Sequence, residues 1–157
     1  MSFIDLLHNK ALTHAKIAYT TLFAAKTVTI KAALTFTNRV RTSCMHLLYA
    51  LYMEYYGEPI ESMEQLISRI EKDLSSVPNF ILEVFSDIID LVDISLNLEQ
   101  DIYNSSDLKE TVLTLNKVFN FYGLQEFKGD YNNEPFTLLG TYTEGTFDFS
   151  CFISTIK

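Results

Sequence analysis

The sequence predicts a mainly α fold, a bundle of about five helices followed by a C-terminal β-hairpin. No glycine or proline occurs before Gly57 in the chain of 157 residues, and these two residues are the least compatible with a helix interior. Apolar residues recur at steps of three or four as far as residue 123, the period of amphipathic helices. Near the C-terminus the period changes to two, which is typical of strands. We expect a single domain over residues 1–157, with a helical core at about 3–123 and the hairpin at about 135–155.

The chain before Gly57 is predicted to form two helices. A single helix over residues 3–56 would be about 80 Å long at 1.5 Å per residue, which is too long for a small domain. The stretch from residue 26 to residue 38 is rich in β-branched residues, which are weak helix formers. We therefore expect a break there, with Thr37 or Asn38 as the N-cap of the second helix. The stripe of the first helix consists of Ile4, Leu7, Ala11, Ala15, Ala18, Leu22 and Ala25.

Helix signals continue after Gly57, which can adopt the left-handed conformation that ends a helix. Ser62 and Gln65 form a capping-box pattern for a third helix, and Gly123 is expected to end the fifth. The fourth helix has the broadest apolar face, so we expect it to be central. The inward-facing residues are predicted to be Met63, Leu66, Ile67, Ile70 and Leu74 in the third helix, Phe80, Ile81, Val84, Phe85, Ile88, Ile89 and Val92 in the fourth, and Leu108, Val112, Leu115, Val118 and Phe119 in the fifth. In the hairpin, Phe147, Phe149, Cys151 and Ile153 alternate with mostly polar residues.

Composition limits the class of protein. With 48% hydrophobic and 20% charged residues, the chain fits a globular domain with its own core. No window reaches the roughly 18 uninterrupted apolar residues of a membrane span, so we expect a cytoplasmic protein that does not bind a membrane. Cys44 and Cys151 belong to no CxxC pattern or Cys/His cluster, and we expect buried free thiols rather than a disulfide. No metal or cofactor is expected.

Charge is distributed unevenly along the chain. Residues 1–50 contain six basic residues and one acidic residue, Asp5, whereas residues 51–157 contain six basic and nineteen acidic residues. Such a division can provide a basic surface for nucleic acid in the N-terminal segment. It can equally reflect basic helices that pack beside acidic ones and neutralise each other locally.

The stretch "NRVRTSCMHLLYALYMEYYGEP" contains the residues best suited to catalysis. Arg39 and His46 are seven positions apart, two helical turns, and therefore project from nearly the same side of a helix. Ser43 lies between them on that face. Arg41 is five positions from His46 and points in a different direction. Because arginine binds phosphate and histidine moves protons, these residues are a candidate site for a metal-independent ribonuclease. The alternative is a core helix whose basic residues serve solubility or local ion pairs.

The helical hairpin "RVRTSCMHLLYALYMEYYGEP" and the following "MEQLISRIEKDL" resemble the helical core of the HEPN superfamily. The resemblance covers about residues 4–123 at the level of helix order and leaves the C-terminal hairpin outside it. It implies a small RNA-associated protein, dimeric when active, in which an arginine and a histidine at short spacing form the ribonuclease site. The residues at that spacing here are Arg39 or Arg41 with His46. The sequence departs from the family pattern because the pair lies on the second helix and Val40 follows Arg39.

Two further groups of residues are candidates for binding. The tyrosines either contact a partner or form a core edge with buried rings; they are Tyr49, Tyr52 and Tyr56. The acids follow the polar face of the fourth helix, where they either are simply solvated or bind a basic partner; they are Glu83, Asp87, Asp90 and Asp93. We therefore expect a small acidic protein-interaction module with a binding, inhibitory or adaptor role, a protein partner, and a homodimer if the HEPN resemblance holds. The alternative is a HEPN-like ribonuclease or RNA-associated protein that uses Arg39 and His46.

Overall fold

The structure is a computed structural model. It describes the backbone of residues 2–23, 27–100 and 105–122 and of five short stretches after residue 128, and the side-chain surroundings of residues 2–21, 31–100, 107 and 110–122. The described part is mainly helical, as predicted, and contains five helices. These are α1 (Phe3–Phe23), α2 (Ile30–Tyr56), α3 (Met63–Lys72), α4 (Asn79–Glu99) and α5 (Ser105–Phe121).

Short strands accompany the helices in the described residues. They are β1 (Thr27–Thr29), β2 (Gly129–Tyr131), β3 (Glu134–Leu138), β4 (Thr141–Thr143), β5 (Thr146–Asp148) and β6 (Ile153–Thr155). Their order is β1-β5-β4 in one sheet and β2-β3-β6 in the other, with antiparallel neighbours. The hairpin expected over residues 135–155 stays a prediction, because residues 139–140, 144–145 and 149–152, including Phe149 and Cys151, lie outside the described residues.

The helices α1 and α2 pack against each other in antiparallel directions. The hydroxyl of Ser43 donates to the carbonyl of Ala11 at 2.5 Å, and Arg39 contacts His14, which is further along α1. The stripe expected on α1 is buried at Leu7, Ala11, Ala15 and Ala18, and the alanine side chains let the two helix backbones approach closely. Because α2 also packs on α4 and α5, α2 is the central helix, and the prediction that the fourth helix is central is wrong.

The second helix begins earlier than its sequence predicts. It starts at Ile30, so Thr37 and Asn38 lie inside α2 and neither is its N-cap. Ala33 and Phe36 in this first part of α2 are fully buried, and this packing outweighs the weak helix propensity of the β-branched residues. The predicted end of α2 is confirmed: Gly57 has φ +72°, and its N–H donates to the carbonyl of Met53 at 2.8 Å.

The predicted capping box begins α3. The Gln65 N–H donates to the Ser62 hydroxyl at 3.1 Å, and the Gln65 side-chain oxygen accepts from the Glu61 N–H at 2.8 Å. Leu66 and Ile70 are buried as expected. The prediction for Leu74 is wrong: the helix ends at Lys72, and Leu74 lies beyond it with 55% of its surface exposed.

The orientation of α4 differs from the prediction on one side of the helix. Ile81, Val84 and Ile88 are buried as expected, but Ile89 and Val92 are 47% and 39% exposed. The helix is apolar around more than half of its circumference, so its sequence period alone does not define which part faces α2. The buried apolar residues that the prediction missed are Leu91, Ile94 and Leu98. In α5, Val112, Leu115 and Val118 face the core as expected, while the side chain of Leu108 lies outside the described part. None of the described helices is both long enough and apolar enough to cross a membrane.

Candidate functional site

Three side chains meet where α1 crosses the middle of α2, and we call His14, Arg39 and His46 the imidazole–arginine cluster. Arg39 Nη1 lies 3.0 Å from His14 Nδ1. The rings of His14 and His46 are stacked, with centroids 5.4 Å apart and planes inclined by 24°. All three residues are half-buried at the protein surface. The structure thus links the predicted pair, Arg39 and His46, through a histidine of α1 that the sequence analysis did not include.

Hydrogen bonding fixes which ring nitrogen carries the proton in each neutral imidazole. A guanidinium can only donate, so His14 Nδ1 must accept from Arg39 and the His14 proton resides on Nε2. The carbonyl of Thr42, 2.8 Å from His46 Nδ1, can only accept, so His46 Nδ1 carries the proton and its Nε2 has a free lone pair. Neither Nε2 atom has a protein hydrogen-bond partner among the described residues. The two stacked rings therefore offer one donor and one acceptor.

The electrostatic surroundings of His14 are positive. Burial is the main cause that lowers the pKa of His14 below its ordinary value, followed by the nearby His46, Arg39 and Lys10. No carboxylate of the described residues contributes to this shift. By contrast, Arg69 forms an ion pair with Glu58, and Lys117 forms one with Asp87. In a chain with a net charge of −8, Arg39 is thus paired with a neutral imidazole, and it forms no ion pair with a carboxylate of the described residues.

Ser43 does not line the cluster. Its side chain is fully buried, and its hydroxyl is used by the carbonyl of Ala11. The contact holds α1 against α2 one turn from Arg39, so Ser43 positions the helices and is not available to a ligand. Arg41 is two residues from Arg39 on α2, which places it about 200° around the helix axis.

Two of the candidate tyrosines, Tyr52 and Tyr56, contact Arg69 near the end of α2. Arg69 donates to the Tyr52 hydroxyl at 3.2 Å and lies over the Tyr56 ring, with Cζ 4.2 Å from its centroid. Tyr52 is fully buried, and its ring centroid is 4.6 Å from that of Tyr56. Tyr49 is half-buried, and burial raises the pKa of its hydroxyl. These contacts fix α3 on α2. Tyr52 is buried, and the half-buried Tyr56 ring is in contact with Tyr52 and Arg69, so the two rings do not form a free stacking surface.

The acids of α4 do not share one environment. Asp87 is half-buried and pairs with Lys117 of α5 at 3.0 Å. Burial raises the pKa of Asp87, and the Lys117 ammonium acts in the opposite direction. Glu83, Asp90 and Asp93 are exposed. The groove between α4 and α5 has a volume of about 250 Å³ and is lined in part by Asp87, Asp90 and Lys117.

Beside these acids lies an apolar surface that includes Ile89 and Val92, two residues that were predicted to face the core. Ile89, Val92 and Leu96 are 47%, 39% and 49% exposed, and they follow one side of α4 at steps of three and four. We call these three residues, with the exposed Asp90 and Asp93, the α4 outer face.

The third histidine, His8, is separate from the cluster. Its ring contacts the edges of Phe121 and Tyr122 at centroid distances of 5.6 and 5.5 Å. His8 Nε2 lies 3.7 Å from a carboxylate oxygen of Glu54, which is too long for a hydrogen bond. Burial raises the pKa of Tyr122, and its hydroxyl has no hydrogen-bond partner among the described residues. Cys44 is a buried free thiol, and burial raises its pKa. Cys151, the other cysteine that was predicted to be a buried free thiol, lies outside the described residues.

Sequence reasoning missed His14 because its partners are 25 and 32 positions away in the chain. A signal that could have indicated His14 is its spacing from Lys10, since residues four apart on one helix lie on one face. In the described part of the chain, no group of three or more His, Cys, Asp and Glu side chains is arranged to hold a metal ion. Comparisons with family models, with curated proteins and with solved structures gave no match for this chain.

Proposed function

We propose that this chain binds a phosphate group of RNA at the imidazole–arginine cluster and that His46 acts there as a base in RNA cleavage. The observation that carries the proposal is the bond from Arg39 to the neutral His14. A guanidinium that keeps its charge, pairs with no carboxylate of the described residues and is half-exposed is suited to bind a phosphate oxygen. This is the alternative function suggested by the sequence, including its HEPN resemblance, with His14 added to the site.

The two imidazoles differ in what they can do. His14 carries its proton on Nε2, so it can donate a hydrogen bond to a non-bridging phosphate oxygen while Arg39 neutralises the charge. His46 Nε2 has a free lone pair and can accept the proton of a ribose 2′-hydroxyl. The 2′ oxygen then attacks phosphorus, the bond to the 5′ oxygen breaks, and that oxygen takes a proton from water. The products are a 2′,3′-cyclic phosphate and a 5′-hydroxyl, and the His46 proton neutralises the hydroxide that is left.

The test uses the purified chain with a fluorescent single-stranded RNA in buffer containing EDTA. We expect cleavage to a 2′,3′-cyclic product, a rate about 100-fold lower for His46→Ala, and weaker binding for Arg39→Met. Arg41→Met is the matched control, since it removes a guanidinium from the same helix on a different side, and it should bind RNA like the wild type. DNA of the same sequence should bind without cleavage because it lacks the 2′-hydroxyl. Equal binding by Arg39→Met and Arg41→Met would contradict the proposed site.

A second candidate function is supported by a different observation, the exposure of Ile89, Val92 and Leu96 on α4. An apolar surface with acidic neighbours is suited to bind a protein partner, as expected for a cytoplasmic interaction module without catalysis. Its test is the loss of binding partners in Ile89→Lys, with Leu74→Lys as a control that changes an equally exposed residue outside α4.

A further inference from the structure

We propose that the α4 outer face of one copy of this chain binds the exposed face of α1 in a second copy. The inference rests on the second candidate function and names its partner, and its experiment does not use RNA. It is carried by two exposed apolar stripes of opposite charge on one molecule.

The first of the two surfaces in the proposed contact is the α4 outer face. Its apolar residues Ile89, Val92 and Leu96 expose between 39% and 49% of their surface. Asp90 and Asp93 lie beside them, and α4 contains no lysine or arginine. A partner that covers the apolar residues must therefore bring positive charge to the acids, because an acidic partner would be repelled.

The face of α1 meets this requirement. Phe3, Leu6 and Ile17 are 53%, 40% and 38% exposed. Lys10 lies in the same stripe, which follows steps of three and four through residues 3, 6, 10, 13 and 17, and Lys16 is exposed next to Ile17. The one acid of α1, Asp5, accepts from the N–H of Ser2 at 3.2 Å at the start of the helix. The basic and apolar parts of this face thus match the acidic and apolar parts of α4.

The surface of α1 also has a suitable shape. A shallow groove of about 420 Å³ is lined by Thr13, Lys16, Ile17, Thr20 and Thr21. The γ-carbons of the threonines and the stem of Lys16 make its walls partly apolar. A ridge of branched side chains such as Ile89, Val92 and Leu96 is the kind of surface that packs into a groove between helical turns.

Two other occupants of the α4 outer face fit less well. A symmetric contact between two α4 helices would bring Asp90 and Asp93 of both copies together, which is destabilising. The C-terminal part of this chain has the wrong net charge, since residues 128–157 contain four acids and only two lysines. The acids are Asp130, Glu134, Glu144 and Asp148.

Contact between two different faces has a consequence for assembly. With a single contact, each copy that uses its α4 still offers its α1 and the assembly continues head-to-tail, whereas two reciprocal α1–α4 contacts close the pair as a two-fold dimer. The chain would therefore associate as its concentration rises, as a closed dimer, a ring or an open chain. Because charges flank the apolar contact, salt should weaken it.

The test is sedimentation velocity of the full chain over a range of concentrations at low and high salt. We expect wild-type association that grows with concentration and decreases in salt. Ile17→Glu and Ile89→Lys should each weaken the association constant at least about tenfold, since each replaces a buried interface residue by a charge. An equimolar mixture of the two variants should form a 1:1 dimer and nothing larger, because one variant keeps α4 and the other keeps α1. Leu74→Lys, the control, should associate like the wild type.

A wild-type chain that stays monomeric at about millimolar concentration in low salt, where even weak contacts are populated, would overturn the proposal. A dimer that is lost in Ile89→Lys and is not restored when the Ile17→Glu variant is added would also overturn the proposal, because a symmetric contact between two α4 helices behaves in this way. If the wild type is monomeric but Ile89→Lys still loses a partner protein, self-association is wrong and the second candidate function stands. If Ile89→Lys changes neither self-association nor the binding of a partner protein, the self-association proposal and the second candidate function are both wrong.

Discussion

Thr37 lies inside α2 with only 1% of its surface exposed. Its buried hydroxyl has no hydrogen-bond partner among the described residues. Other threonines in the helices donate to the carbonyl four residues earlier, at distances from 2.8 to 3.0 Å. They are Thr13, Thr20, Thr21, Thr35, Thr42, Thr111 and Thr114. Burying a hydroxyl without a partner costs about 1–3 kcal/mol. We therefore predict that Thr37→Val, which keeps the branched shape, stabilises the protein.

The expected gain in the free energy of unfolding is about 1 kcal/mol, at the lower end of that range because a methyl group does not fill the same space as a hydroxyl. This corresponds to a rise of about 2–4 °C in Tm for a domain of this size. The matched control is Thr111→Val, which makes the same change at a fully buried helical threonine whose hydroxyl donates to Asp107 at 2.9 Å.

Thr111→Val should leave the free energy of unfolding unchanged or lower it by up to about 1 kcal/mol, because it removes a satisfied hydrogen bond. Urea unfolding followed by circular dichroism measures both variants. If Thr37→Val is less stable than the wild type, or no more stable than Thr111→Val, the hydroxyl of Thr37 is satisfied in solution and the reasoning is refuted.

Three further predictions concern stability. The pKa of His14 is lowered in the folded state. Its contribution to the free energy of unfolding is therefore complete above pH about 6.5, the ordinary pKa of histidine, and decreases as the pH falls through the folded pKa. Urea unfolding from pH 7.5 to 5 should show a smaller loss of stability for His14→Gln than for the wild type, and an equal loss contradicts this. Gly57→Ala should cost about 1 kcal/mol because φ is +72°, a conformation that alanine adopts with strain; among the described residues, apart from the chain neighbours of Gly57, no atom lies within 4 Å of the added Cβ. An unchanged Tm would mean that the left-handed end of α2 is absent. Ser43→Ala should destabilise by about 1–2 kcal/mol through the lost bond to Ala11 without changing RNA affinity, and a selective loss of RNA binding would place Ser43 in the site after all.

The helix ends that depend on neighbouring residues could be predicted from the sequence. The left-handed Gly57 and the capping box of Ser62 and Gln65 are determined by residues within a few positions of each other. The start of α2 could not be predicted from the sequence, because it depends on the burial of Ala33 and Phe36 against other parts of the fold. Local propensity is outweighed there by tertiary packing.

The candidate surfaces show the same limit. Arg39 and His46 were found because they are two turns apart on one helix, whereas His14 required the antiparallel packing of α1 and α2. The exposure of Ile89 and Val92 was missed because a helix that is apolar on most sides does not reveal which side its neighbour covers. Periodicity thus predicted that α4 is a helix and did not predict which of its faces is free.

The central claim is that Arg39, His14 and His46 form a phosphate site, and nitrogen NMR of the two imidazoles tests it most directly. In the free protein, the neutral form of His14 should carry its proton on Nε2 and that of His46 on Nδ1. Adding inorganic phosphate should shift the Nε2 resonances of both rings and raise the pKa of His14, and Arg39→Met should abolish these changes while Arg41→Met keeps them. Phosphate that leaves both imidazoles unchanged, or shifts them equally in Arg39→Met, would contradict the account.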